Sequence, residues 1–498
     1  MRRPALSCCR LIAGLAWLLS MNSPQTADAA RRPNVVFIIA DDLGYAELGA
    51  YGQQKIKTPH LDEMATEGMR LTNHYCGNPV CATSRCVLMT GKHSGHAYVR
   101  DNRELKNRIT RTDELPEVFG GQEPIPSAEV TLGELFKAQG YATAAFGKWG
   151  LGGEGTTGDP LDQGFDRFFG YNCQRHAHNY YPRYLVDDRG HRVLKGNDRG
   201  LTGTQYAPDL CATEALAFIR EHKDQPFFVY YPTVVPHLAL QVPDDSLSEY
   251  EGQWDDPPYE GKKGYLAHPK PRAAYAAMIT RMDRDIGRML DQVKSLGLDD
   301  NTIFVFTSDN GPTYDRLGGS DSEFFGSAGV FRGLKGSIYE GGIRVPAIVR
   351  WPGHVPTDTV SDLPTAFYDW MPTLMDLIGA PDATPAASDG MSFAPTLLGH
   401  PEKQRKHDYL VWEFLGYGGQ QAVRMGDWKG VRQNLKPRGK AEPNLTVELY
   451  NLKDDPAESH DVAQQHPEVV DRIEEIMRRE HTVSPAFAFP ALDAMIAQ

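Results

Sequence analysis

Beyond residue 30 the chain has no stretch approaching the ~20 apolar residues that a membrane-spanning helix needs, which argues against stable membrane insertion. It is also short of basic charge: 52 Lys and Arg stand against 65 Asp and Glu, a formal net charge of −13. That balance argues against a nucleic-acid or anionic-membrane partner. Any site for an anion must then be a local cluster of lysine, arginine and backbone amides. The chain has no internal repeat and no low-complexity tract, which sets aside a repeat array. Cysteine is scarce, and Cys76, Cys81, Cys86, Cys173 and Cys211 are the five that follow the N-terminal segment. An odd number in an exported chain leaves at least one unpaired. Sequence does not fix the connectivity of the others, Cys76 with Cys86 being one choice.

What is present is the composition of a globular protein, 41% hydrophobic and 23% charged, in 498 residues that suit one large α/β domain plus a smaller one. The first residues read as a secretory signal: Arg2-Arg3, an apolar run over 11–19, then Ala27-Asp28-Ala29 ahead of Ala30-Arg31. The run is too short to span a bilayer, and Cys8 precedes it, which argues against a lipid-anchored cysteine after cleavage. A signal peptide is therefore placed at residues 1–29, and the mature protein is expected in the periplasm or outside the cell. Asn444-Leu445-Thr446 is a glycosylation sequon, of consequence only in a eukaryotic secretory path.

Several short apolar runs read as buried strands, and each ends at polar residues. Residues 35–40 precede Asp41-Asp42, 141–146 precede Gly147-Lys148-Trp149, 227–231 precede Pro236-His237, and 302–307 precede Asp309-Asn310-Gly311. Near-continuous apolar strands imply a mostly parallel sheet covered on both faces, and such sheets bind ligands beyond the carboxyl ends of their strands. Four segments thus deliver chemistry to one edge. Tyr275, Met278, Met282, Ile286, Met289, Val293 and Leu296 recur at steps of three and four, a helix whose methionine stripe is core, with Gly297 as its C-terminal cap. Residues 174–264 have few long periodic runs and read as long loops over the sheet edge. After residue 367 a short helix (370–378), strand-like pieces (409–413, 421–425, 448–452) and a final helix (467–479) make a smaller α+β domain. The expected division is a catalytic domain over 31–368 and a C-terminal subdomain over 369–498.

Asp41, Asp42, Asp309 and Asn310 offer hard oxygen ligands, the set that Ca²⁺ or Mg²⁺ prefers over zinc. Adjacent carboxylates at a strand end repel unless a cation lies between them. Cys81-Ala82-Thr83-Ser84-Arg85, followed by Thr90-Gly91, puts a cysteine and an arginine on one face at the start of a helix, where amides and guanidinium favour an anion.

That stretch resembles the signature of the type I sulfatases, C-x-P-S-R-x-x-x-x-T-G. Gly147-Lys148-Trp149 resembles the start of the family's G-K-W-H-L-G. Residues 333–346, from Gly333-Leu334-Lys335-Gly336 through Glu340-Gly341-Gly342-Ile343-Arg344-Val345-Pro346, resemble its G-x-K-x-x-x-x-E-G-G-x-R-V-P block, and Val235-Pro236-His237 its histidine loop. The matched segments run from about residue 33 to 352. The resemblance implies an alkaline-phosphatase-like α/β fold and Ca²⁺ held by Asp41, Asp42, Asp309 and Asn310. It also implies a formylglycine made from Cys81 by the formylglycine-generating enzyme, whose hydrate is the nucleophile. Arg85, Lys148 and Lys335 would neutralise the sulfate, and His237, with Lys335, would serve the departing alcohol oxygen.

Two positions depart from the pattern. Thr83 stands where the family has Pro or Ala, and Gly150 where it often has a histidine that contacts the hydrated aldehyde, so that the proton acceptor for sulfate release must come from elsewhere, His96 being one choice. For the substrate, the stretch 172–181 with Arg175, His176 and His178, and Arg100 and Asn102 just after the Cys81 helix, resemble the contacts of sulfatases that act on sulfated sugars. The expected activity is hydrolysis of sulfate esters of a sulfated saccharide. The alternatives are a phosphate-ester or phosphonate hydrolase of the same superfamily, or a silent glycan-binding relative if Cys81 is not matured. Cys81 and an all-oxygen metal set oppose the first, and intact Arg85, Lys148, His237 and Lys335 oppose the second.

Overall fold

Asn34–Asp41 is the first strand, β1, and its side chains alternate between two separate cores. Val35, Phe37 and Ile39 pack into one, Val36, Ile38 and Ala40 into the other, as a period of two dictates for a strand buried on both faces. The computed structural model describes residues 32–105, 115, 118–262, 264–439 and 441–496. The signal-peptide reading falls on residues 1–31, outside the described residues.

The strands that follow are β2 (Met69–Leu71), β3 (His74–Tyr75), β4 (Ala142–Lys148), β5 (Arg167–Tyr171), β6 (Tyr184–Asp187), β7 (Gly190–Val193), β8 (Phe227–Pro236), β9 (Thr302–Ser308), β10 (Ala347–Arg350), β11 (Thr359–Ser361) and β12 (Thr365–Ala366). Ten of them form one sheet in the order β11-β2-β10-β9-β1-β8-β4-β5-β6-β7. Its centre, β9-β1-β8-β4-β5, is parallel, and antiparallel pairs flank it on both sides. The carboxyl ends of β1, β4, β8 and β9 therefore share one edge.

Helices cover the two faces. The longer ones are α1 (Pro59–Thr66), α2 (Cys81–Thr90), α3 (Leu132–Ala138) and α4 (Ala207–Glu221). After the single turn α5 (Asp244–Leu247) comes α6 (Pro271–Ser295), which buries Tyr275, Met278, Met282, Ile286, Met289 and Val293, and Gly297 follows it with φ of +68°. Short turns α7 (Ser322–Phe325) and α8 (Glu340–Ile343) precede α9 (Trp370–Leu377), α10 (Ala394–Leu397), α11 (Pro467–Arg479) and α12 (Pro490–Ile496).

A second sheet, β13 (Leu410–Phe414), β14 (Gln420–Met425), β15 (Trp428–Gln433) and β16 (Glu448–Asn451), is an antiparallel meander. One face packs on α11 through Val411, Val423, Leu449, Ile473 and Met477. The other sends Trp412, Phe414, Ala422 and Val431 into the large core, and residues from Arg32 onward cluster as one compact unit.

The structure corrects two expectations and adds one strand. Residues 174–264 are not all loop: the 15-residue α4 lies among them, its buried face made of small residues (Ala207, Cys211, Ala212, Ala215) until Leu216, Phe218 and Ile219 in its last turns. β15 was also unforeseen, because Lys429 and Arg432 interrupt its apolar pattern and are nevertheless buried, Lys429 against Glu340 and Glu458. All five described cysteines are free thiols, so the Cys76–Cys86 pairing does not occur; Cys76 Sγ instead donates to the Asn78 carbonyl at 3.2 Å.

Candidate active site

The edge where β1, β4, β8 and β9 end holds a closed knot of charge. Asp41 closes β1, and Asp42 turns the chain with φ of +68°, an uncommon backbone for a non-glycine residue. Its N–H donates to Asp309 Oδ1 at 3.1 Å, which ties the end of β1 to the end of β9. Cys81 opens α2 with no side-chain cap, and the orphan N–H of Ala82 is taken by Asn102 Oδ1 at 2.9 Å. All ten residues of α2 are buried.

The Cys81 thiol lies 3.2 Å from Asp41 Oδ1 and 3.4 Å from Lys335 Nζ. Lys335 donates to both Asp42 oxygens at 2.7 and 2.8 Å, and Lys148 to Asp41 Oδ2 at 2.5 Å. Arg85 forks onto Asp309 Oδ2 from Nε and Nη2 at 3.0 and 2.8 Å, while its Nη1 donates to the Lys148 carbonyl. Asn310 Nδ2 donates to Asp42 Oδ1 at 2.8 Å. Three carboxylates thus face three permanent cations, every one of these groups buried, an arrangement that satisfies charge only as a unit.

Burial raises the Asp309 carboxyl to about 6, with Asp41 adding to it against Arg85 and Lys148. Burial, with Asp41, also pushes Asp42 up, whereas for Asp41 itself burial is outweighed by Lys148, Arg85 and Lys335, which hold it well below the usual range. Burial, then Asp309 and Asp41, push the Cys81 thiol far up. An unmodified cysteine here is a neutral thiol, not an activated thiolate.

His237 follows β8, between the cis peptides Val235–Pro236 and Leu238–Ala239. Its Nδ1–H donates to the Leu238 carbonyl at 2.5 Å, which leaves Nε2 as a lone pair 3.6 Å from Asp42 Oδ2. Burial, then Lys335 and Lys148, keep the ring neutral by depressing its pKa well below the usual histidine range. His178 stacks on it at 4.7 Å.

The residues suit a hard cation. Single ligand atoms of Asp41, Asp42, Cys81 and His237 lie within 4.8 Å of one another. Asn310 Oδ1 is buried with no hydrogen-bond partner, an orphan acceptor beside three carboxylates. The two carboxylates of that group and the Asn310 oxygen are hard donors that fit Ca²⁺, whereas the Cys81 sulfur and the His237 nitrogen do not, and Asp309 is not among the four.

Beside the knot is a cavity of about 830 Å³, lined among others by Asn102, Gln122, Gln174, Arg175, His178 and Tyr265. Of the sequence-derived substrate residues, Asn102, Arg175 and His178 line it. Arg175 also pairs with Glu104. Two others do not reach it. Arg100 spends its guanidinium on the carbonyls of Ala97, Gly95 and Thr482, because the chain after α2 must be tied to the C-terminal segment there. His176 is packed between the rings of Phe119 and Tyr184, and burial lowers it to about 3.

His96 is likewise elsewhere, beyond the C-terminal end of α2. It bonds Asp389 at 2.9 Å within a cluster with His93 and Glu480. Gln174 is the residue whose setting the sequence did not reveal. Its carboxamide is buried with both ends unpartnered, and a Cβ added to Gly150, whose φ is +81°, would lie 2.2 Å from its Nε2. Gln174 therefore fills the space that a side chain at position 150 would occupy, and the glycine was the only signal for it.

Comparison with known proteins agrees with this geometry. Residues 33–380 match the Sulfatase family model, and residues 327–482 match the model "N-sulphoglucosamine sulphohydrolase, C-terminal". The chain is 29% identical to the N-acetylgalactosamine-6-O-sulfatase of Bacteroides thetaiotaomicron over 94% of its own length and 97% of the relative's. It is 30% identical to human arylsulfatase A, covering 92% and 90%. The crystal structure of Ps i-CgsB in complex with k-i-k-neocarrahexaose superposes with a TM-score of 0.72 at 26% identity, covering 93% of this chain and 96% of that one.

Proposed function

The chain belongs to the sulfatase family and is a sulfuric ester hydrolase, and from that premise we propose that it cleaves sulfate esters of a sulfated saccharide, with Cys81 matured to formylglycine and Ca²⁺ held by Asp41, Asp42, Asp309 and Asn310. The observation that carries this reading is the Cys81 side chain, set between Asp41 and Lys335 and held there as a neutral thiol, with a cavity nearby whose lining residues Asn102 and His178 touch Ala82 and His237. A buried thiol with anionic neighbours is a poor nucleophile, whereas a hydrated aldehyde at the Cβ of the same residue offers one hydroxyl to the sulfur of the ester and a second whose deprotonation expels sulfate.

The bound cation would supply electrostatic stabilisation of sulfate oxygens. The chain's own residues account for the rest. Arg85, Lys148 and Lys335 are buried cations whose present partners are carboxylates; shared between those and a sulfate group, they neutralise charge that grows in the transition state. Lys335 stays protonated: burial opposes its charge but Asp42 overrides it, so its ammonium is the group suited to give a proton to the departing alkoxide. His237, neutral with its Nε2 lone pair toward the site, is suited to accept one. This divides the work that the sequence assigned jointly to His237 and Lys335.

The saccharide assignment rests on the cavity. About 830 Å³ far exceeds a sulfate group, and its carboxamides and arginines match sugar hydroxyls and acidic substituents. Export through a signal peptide at residues 1–29, to the periplasm or beyond, belongs to the same reading, as does the formylglycine-generating enzyme as maturation partner. The test is sulfate release by the matured protein from a panel of defined sulfated mono- and oligosaccharides, N-acetylgalactosamine 6-sulfate among them, beside 4-nitrocatechol sulfate and a phosphonate monoester. Turnover of at least one saccharide sulfate is expected. Turnover confined to the aryl sulfate would remove the saccharide assignment, and preference for the phosphonate would remove the sulfatase one.

A further inference from the structure

The loop between β13 and β14 reads Leu415-Gly416-Tyr417-Gly418-Gly419, and Tyr417 at its tip is 62% exposed. Its φ is +50°, while Gly418 and Gly419 beside it have φ of +92° and +75°. A left-handed backbone suits the two glycines and disfavours tyrosine, so neither burial nor backbone preference explains a large ring at this point.

Its surroundings do. The ring lies 3.4 Å from where a Cβ on Gly336 would stand, and Gly336 follows Lys335, whose Nζ is 3.4 Å from the Cys81 sulfur. The loop is fixed in that place: Gln420 Nε2 donates to the Gly336 carbonyl at 2.8 Å, and Phe414 supports the ring from below at 5.5 Å. The hydroxyls of Tyr417 and Tyr314 are hydrogen-bonded, with ring centroids 6.0 Å apart. Tyr314 comes from the loop after β9, so two tyrosines from separate sheets meet beside the catalytic lysine. Separately, Tyr265 packs on His178 and His178 stacks on His237.

We propose that Tyr417, braced by Tyr314, is a stacking platform for the sugar ring that carries the sulfate ester, set by the small C-terminal sheet over the mouth of the catalytic recess. A pyranose has an apolar C–H face and a polar rim. A tyrosine ring with a hydroxyl at its edge meets both at low conformational cost, since it has only two side-chain torsions. This rests on the saccharide reading above and adds to it a specific contact and the element that supplies it.

The test uses matured, calcium-loaded enzyme and the sulfated monosaccharide turned over fastest in the panel. Tyr417→Gly removes the ring and suits the left-handed backbone, so the melting temperature holds or rises. KM for the sugar sulfate should increase about tenfold with kcat within about twofold, as for loss of an aromatic anchor. Inhibition by inorganic sulfate, which occupies only the recess, should not change, and Tyr417→Phe, which keeps the ring and loses the hydroxyl, should raise KM by less than the glycine variant does. An unchanged KM in the glycine variant overturns the proposal. So does a parallel shift in the sulfate inhibition constant, which would mean that Tyr417 merely positions Lys335. If the wild-type enzyme hydrolyses aryl but not sugar sulfates, the saccharide reading falls by itself, and this platform falls with it unless KM for 4-nitrocatechol sulfate shows the same tenfold rise.

Discussion

Lys335 stands between two groups: its ammonium donates to both Asp42 oxygens at 2.7 and 2.8 Å and lies 3.4 Å from the Cys81 sulfur. It is the one cation of the knot that touches the Cys81 sulfur as well as a carboxylate. Replacing it with methionine leaves Asp42 without its ammonium and should cost stability, while kcat of the folded protein should fall by about 10²–10³-fold, the scale of losing one preorganised donor to the transition state. Steady-state kinetics beside circular dichroism check this; a loss of less than threefold would remove Lys335 from the chemistry.

Asp309 takes the Arg85 fork on one oxygen and the Asp42 N–H on the other. In Asp309→Asn the amide must turn its NH₂ toward a donor whichever way it is placed, and the site loses one negative charge. Calcium affinity, measured by titration calorimetry, should fall at least about tenfold, since second-sphere changes alone cost that much, and turnover should fall with it. Unaltered calcium binding would take Asp309 out of the ligand set.

Gly150 is required by two separate constraints, a φ of +81° and the Gln174 amide 2.2 Å from a would-be Cβ. Gly150→Ala should destabilise the fold by about 1–3 kcal/mol. Adding Gln174→Ala should recover the steric part but not the backbone part, so the two changes should be non-additive in thermal or denaturant unfolding. Strict additivity would show that the two residues do not compete for the same space.

Asp285, on α6, is buried and hydrogen-bonded to Arg288, and burial with Asp209 raises its carboxyl from 3.8 to about 7. The folded state holds the proton more tightly than the unfolded chain. Its contribution is therefore intact below the unfolded value and is lost as pH rises through about 7. Asp285→Asn should leave stability near pH 4 little changed and raise it at pH 8, by up to ~4 kcal/mol at 1.36 kcal/mol per unit. Equal effects at both pH values would contradict the raised carboxyl.

Much of the fold was legible because parallel strands buried on both faces leave a plain mark: residues 35–40, 227–231 and 302–307 are almost unbroken apolar runs, and each is a central strand. The knot was legible for the same reason, since Asp41, Lys148, His237 and Asp309 all sit where such runs stop. Elements whose stability comes from small or charged side chains were not, as α4 and β15 illustrate. Nor does spacing tell which way a polar side chain turns. Arg100 and Asn102 are two residues apart; one binds the C-terminal segment and the other caps α2 beside Cys81. Tyr417 was hidden because its meaning depends on a hairpin from one sheet meeting a loop from the other.

The central claim is that position 81 carries an aldehyde in the working protein, despite Thr83 where the family has Pro or Ala. In the folded chain Thr83 is buried in the first turn of α2 with an unpartnered hydroxyl. Mass spectrometry of the peptide containing residue 81, from protein produced with a formylglycine-generating enzyme, tests it directly. The account predicts a peptide about 18 Da lighter than the cysteine form, as conversion of the thiol to an aldehyde requires, in proportion to specific activity. A peptide found only as thiol, in protein that nevertheless hydrolyses sulfate esters, would contradict it.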